Sequence, residues 1–247
     1  MLGALWWGFV GGVALLIGAM LGLYVRTGRR VIPMVMALGA GVLMSAVAFG
    51  LTDEAYADGG AVAVIVGLAL GAATFFTGDT VLARRAGQNR KRSSGQQAHG
   101  EREAGSGAAL ALGALLDGIP ESAAIGVTLI GGGAVSVAMV AAVFLSNVPE
   151  AWSSAAGMRQ DGRSRRYVLS LWATVTAVSA LASLVGYSAL GQAPPVWVGG
   201  VEAFAAGAII TMLADTMMPE AFEEGGPAIG LVTAAGFTLA FLLDRLG

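Results

Sequence analysis

The chain has 247 residues, 56% of them hydrophobic and only 12% charged, with 38 glycines, no cysteine and a formal net charge of −2. A soluble domain carries roughly twice that share of charge, and the apolar residues here run in long blocks rather than narrow amphipathic stripes. The missing cysteines exclude disulfides, thiolate metal sites and thiol nucleophiles.

A helix needs about 20 apolar residues to cross the hydrocarbon core. Blocks of that length are predicted at about 4–25, 32–52, 61–82, 108–131, 134–157, 167–190, 198–218 and 227–244. The first has no basic leader and is as long as a full span, so it reads as a helix and not as a signal peptide. The expected fold is an all-α integral membrane protein of eight transmembrane helices, one transmembrane domain over residues 1–247. The Gly and Ala inside the blocks would let helix backbones approach closely.

Basic residues follow alternate blocks. Arg26, Arg29 and Arg30 come after the first; Arg84, Arg85, Arg90, Lys91, Arg92 and Arg102 after the third; Arg159, Arg163, Arg165 and Arg166 after the fifth. The connections after blocks two, four and six read DEAYADGG, GGG and GQAPP and hold no Lys or Arg. Under the positive-inside rule the odd connections are cytoplasmic. The chain is then expected in the cell (inner) membrane, multi-pass, with both termini outside. Residues 87–107 are rich in Gly, Gln, Ser and charge and read as a mobile cytoplasmic loop between helices 3 and 4. This stretch holds the single histidine, His99. A metal-sensing loop is one reading of it, but one imidazole does not make a metal site, and a solvated histidine is the simpler one.

The sequence repeats itself. Residues 37–60 read ALGAGVLMSAVAFGLTDEAYADGG and residues 203–226 read AFAAGAIITMLADTMMPEAFEEGG. Ala37, Ala40, Gly41, Ala48, Glu54, Ala55, Gly59 and Gly60 each meet their own residue type at a constant, gapless offset. These are blocks two and seven, five helices apart, so the copies would be inverted in the membrane. DGIPES at 117–122 and SNVPEA at 146–151 echo each other on blocks four and five. The plan is a 3+2+3 inverted-repeat bundle, and such bundles place their substrate site at the repeat interface near the midplane.

That interface carries acids. Asp117 and Glu121 lie four residues apart on block four; Ser146, Asn147 and Glu150 share a face of block five. A carboxylate at the bilayer centre costs about 2.5–3.5 kcal/mol. No Lys or Arg falls within a predicted span to offset it, so the compensating charge would be a proton or a bound cation. Pro120 and Pro149 each leave a carbonyl four residues earlier, on Leu116 and Leu145, without its helical donor. Carboxylates beside freed carbonyls are oxygen ligands for a cation. Asp53, Glu54, Glu202 and Glu220 fall near block ends, where attracting cations and simple solvation are both open and solvation is the expected state.

DGIPES, SNVPEA, TMMPEA at 216–221 and GAGVLMSAVAF at 39–49 resemble the ZIP family of zinc and iron permeases. The resemblance implies eight spans, a three-two-three plan, outside termini and a variable cytoplasmic loop after span three. It also implies a metal site on Asp117, Glu121, Ser146, Asn147 and Glu150, and places Asp215 where the family often has a histidine, as a pathway residue toward the cytoplasmic exit. The family motifs have the form His-Asn-x-Pro-Glu-Gly and His-Glu-x-Pro-Glu-Gly. Here Asp117 and Gly118 replace the first polar pair, and Ser146 and Asn147 the second. By the same alignment Ser179 stands where some members carry a further acid. An oxygen-only set suits Mn²⁺, Fe²⁺ or Mg²⁺ relatively better than zinc, although zinc also takes carboxylates.

The expected function is transmembrane transport of divalent metal cations, of zinc, iron or manganese type, with the ion as substrate and no prosthetic group. The alternative is a secondary transporter whose acids bind protons or an organic cation. An enzyme is not expected: Gly78-Asp79 hints at an intramembrane aspartyl protease, but the flanking glycine and Tyr-Asp partner are missing, and no Gly-x4-Gly-Lys-Ser/Thr loop offers ATP coupling. The expected partners are the metal ions and the lipid bilayer, not nucleic acid, with a homodimer as an option.

Overall fold

The computed structural model describes residues 1–28, 30–85, 106–130 and 136–246. The expected loop at 87–107, with His99, lies almost wholly outside them. The α-helices are α1 (Leu2–Tyr24), α2 (Val31–Ser45), α3 (Thr52–Arg85), α4 (Ser106–Val127), α5 (Val137–Gln160), α6 (Arg165–Leu190), α7 (Pro195–Met212), α8 (Met218–Gly225) and α9 (Ile229–Leu246). Two π-helical segments, Ala46–Leu51 and Leu213–Met217, join α2 to α3 and α7 to α8 without a break. Among the described residues, Leu2–Tyr24, Val31–Arg84, Arg165–Leu190 and Pro195–Gly225 are helical runs long and apolar enough to cross a membrane. The remaining blocks expected from sequence fall on α4, α5 and α9. In α5 the apolar run is diluted by Asn147, Glu150 and Arg159.

Large apolar side chains cover much of the surface, while a few acids and other polar groups join an otherwise apolar interior. Large apolar side chains stand outside, among them Leu2 (84% exposed), Val62 (75%) and Leu231 (77%), along with Trp6, Ile65, Phe76, Leu181 and Trp197. So many large exposed apolar side chains are unusual for a soluble monomer. Asp117, Glu121, Ser146, Asn147 and Glu202 are buried inside. An all-helical protein with this distribution is compatible with a membrane location.

Small residues set how the helices meet. α2 lies along α9, α3 along α7, α1 along α5 and α6, and α4 along α6. The α3–α7 contacts advance in one sense, with Gly59 near Gly199, Gly67 against Ala203, and Gly71 against Phe204 and Ala208. The α2–α9 contacts do the same, from Gly41 against Thr233 to Phe49 against Phe237 and Phe241. A Cβ on Gly41 would run into the Thr233 carbonyl, and one on Gly207 into the Leu68 carbonyl. Both seams therefore close to backbone contact only because these positions lack a side chain. Apolar packing gathers around Leu43, Val47, Ile209 and Leu213 on one side, and around Leu15, Leu23 and Trp172 on the other.

The sequence repeat returns as backbone geometry. In the first π segment the N–H of Thr52 donates to Val47 O; in the second, that of Met218 donates to Leu213 O. These are the same bonds at the repeat offset. Gly60 has φ 68° and ψ −179°, and Gly226 has φ 75° and ψ −161°. That region is essentially restricted to glycine, and these two residues also correspond at the offset.

The expected connection DEAYADGG, and residues 219–226 between the seventh and eighth blocks, turn out to be helical up to these glycines: α3 starts at Thr52 and α8 runs to Gly225. Hydropathy ends where charge begins, but the backbone helix continues through polar residues until a glycine conformation stops it.

Candidate functional site

α4 and α5 supply the centre of the site. Each continues through its internal proline, Pro120 or Pro149. Asp117 (1% exposed), Glu121 (0%), Ser146 (0%), Asn147 (2%) and Glu150 (8%) are all buried. The two helices meet through Ser146, whose hydroxyl faces Glu121 Oε1 at 3.4 Å and Val143 O at 3.0 Å. Asp117 lies one turn before Glu121, and Glu150 one turn after Ser146, each pair on a common helix face.

Neighbouring helices close around this pair. Asn147 Nδ2 donates to Gly11 O of α1 at 3.1 Å, which leaves the amide oxygen as the group Asn147 can offer a cation. On α2, Gly39 abuts the Leu145 carbonyl; a Cβ there would lie 2.7 Å from that oxygen. The carbonyl released by Pro149 thus sits against α2. Its role as an ion ligand, expected from sequence, competes with this close backbone packing. On α6, Ser179 is buried and its hydroxyl borders Gly118, so it does lie beside the α4 motif.

Asp215 does not join the buried set. It is exposed on the second π segment. Of the acids expected to be solvated, Asp53 and Glu54 are exposed. Glu220 instead accepts a hydrogen bond from Ser153 on α5 at 2.9 Å, and Glu202 is buried at 3% exposure. Glu202 is buried where α7 packs along α3, and Glu220 is reached by Ser153 because α8 continues as a helix past the end of the apolar block.

Sequence reasoning passed over a polar stripe on α6. Thr176 donates to Gly12 O and Ser183 to Ala4 O, at 2.9 and 2.8 Å, and Ser179 lies between them. Their spacing of three and four residues in an otherwise apolar helix was the available signal. These hydroxyls pin α6 to α1 and so fix the wall behind α4.

Chemically, the set offers carboxylate, hydroxyl and amide oxygens, with no nitrogen base. Oxygen donors of this kind suit hard cations. Among the described residues, no three His, Cys, Asp or Glu side chains converge closely enough to hold a metal ion. The acids thus share a buried face and do not form a closed cage in this conformation. No protein-family model matches the chain, and no curated protein does either.

Proposed function

We propose that this chain transports divalent metal cations across a membrane, using Asp117, Glu121, Ser146, Asn147 and Glu150 as the transient binding site. The observation that carries the reading is the burial of three acids on α4 and α5 in a bundle whose predicted spans hold no Lys or Arg. Ionisable side chains inside a membrane bundle mark ion and proton pathways.

The proposed arrangement is eight spans in a 3+2+3 plan. The 54-residue run Val31–Arg84 would measure about 80 Å as one straight helix, against a hydrocarbon core of about 30 Å. Its break at Gly60 divides it into two spans. Paired π segments and paired glycines support an inverted repeat, and π-bulges concentrate at functional sites. With the resemblance of the Pro-Glu motifs, this supports a divergent ZIP-type permease lacking the motif histidines, in the inner membrane with both termini outside.

The open geometry of the acids favours a second reading, in which they bind protons or an organic cation. Uptake by proteoliposomes of Zn²⁺, Mn²⁺, Fe²⁺, Cd²⁺ and Mg²⁺ separates the two. Flux of at least one metal is expected. Substrate-dependent proton flux without any metal flux would move the second reading to first place.

A further inference from the structure

Glu202 lies outside the α4–α5 site and is the least expected acid in the fold. It sits on α7, 3% exposed, and its Oε2 is buried with no hydrogen-bond partner. Its burial follows from the α3–α7 seam. One turn before it Gly199 meets the Ala55 carbonyl and Gly59, and beside it Ala203 abuts Gly67. At backbone contact the seam has little room for water.

The strongest charges felt by Glu202 are Glu54 and Asp58 of α3, and Glu54 in turn feels Asp244 of α9. Glu54 and Asp58 are exposed and lie one helical turn apart. The remaining charged residues of α3 are Asp53 at the same end and Asp79, Arg84 and Arg85 at the other. α4, which also packs on α7, carries Asp117 and Glu121. The first π segment, another neighbour of α7, has no charged residue. The cation of α9, Arg245, stacks on the Phe241 ring at 5.5 Å. A buried carboxylate oxygen that lacks a donor, on a group that faces acids, needs a positive partner. Among the described residues no three His, Cys, Asp or Glu side chains gather there to hold a metal ion, whereas a proton needs only one oxygen.

We propose that Glu202, overlooked by Glu54 and Asp58, is a reversible proton-binding site on the α3–α7 seam, separate from the α4–α5 acids. The proton is taken from solvent, forms one O–H bond on the Glu202 carboxylate, and returns to solvent; no other bond changes. The proposal does not depend on what the chain transports.

The test is infrared difference spectroscopy of the full chain in lipid nanodiscs during a pH titration without divalent metal. The expected result is a titrating carboxylic-acid C=O band that shifts in D₂O, disappears in Glu202→Gln and survives in Glu121→Gln. Glutamine has the shape of a protonated glutamate, so Glu202→Gln should keep the wild-type circular dichroism. If it fails to fold, the exposed double variant Glu54→Gln/Asp58→Asn decides: the band should remain but its midpoint should move. Three results overturn the proposal: a band that persists in Glu202→Gln, no titrating band in the wild type, or a midpoint unmoved in the double variant. A band abolished by added Zn²⁺ or Ca²⁺, with metal binding lost in Glu202→Gln, would overturn it in favour of a metal site.

Discussion

Glu121→Gln separates a binding role from a structural one. The side chain is completely buried, and the Ser146 hydroxyl faces its Oε1 at 3.4 Å. Glutamine keeps the volume and an acceptor oxygen for Ser146, so it leaves no cavity and removes the cost of burying a charge. The folded protein should therefore melt no lower than wild type. A carboxylate about 4 Å from a divalent cation gains about 8 kcal/mol at an effective dielectric of about 20. Loss of carboxylate hydration offsets most of that, leaving roughly 1.5–3 kcal/mol, the range for hydrogen bonds to charged groups. At about 1.4 kcal/mol per tenfold, Glu121→Gln should weaken metal binding by about 10- to 100-fold. The assay is initial-rate uptake of the best-transported metal into proteoliposomes over a concentration series, with reconstituted protein matched by circular dichroism. Uptake within twofold of wild type at every concentration would refute the assignment of Glu121 as a ligand. A loss of uptake together with a collapsed melting transition would show a packing role instead.

Other expectations follow from the paired features. Gly60→Ala and Gly226→Ala force a side chain into a glycine-only backbone region while the space around each Cβ stays open, so each should cost about 1–3 kcal/mol, read as a matching fall in thermal stability in detergent. Gly41→Ala and Gly207→Ala instead drive a methyl into a carbonyl of the facing helix; losses of about 1–3 kcal/mol each are expected despite the helix propensity gained, and unchanged melting would contradict the close seams. Asp215→Asn alters an exposed residue, and uptake within about twofold of wild type is expected if it is merely solvated; a loss comparable to that of Glu121→Gln would support its expected role in the ion pathway.

The helical class, the approximate position of each block, the repeat and the buried polar positions on α4 and α5 were legible in the sequence. Each rests on a local quantity: block length against membrane thickness, residue type at a fixed offset, or acids spaced by one helical turn. The two π segments were not legible, because AVAFGL and LADTM contain nothing that forbids an ordinary α-helix. Nor could the sequence distinguish Glu202 from Glu54, two acids near predicted block ends. Tertiary packing buries the first beneath the α3–α7 seam and leaves the second in the open. In the same way, Leu145 O follows Pro149 in a predictable manner, but only the approach of Gly39 decides what that oxygen faces. Composition and spacing specify which groups are costly to bury. Which of them are buried, and against what, depends on how closely the glycine faces of distant helices can meet.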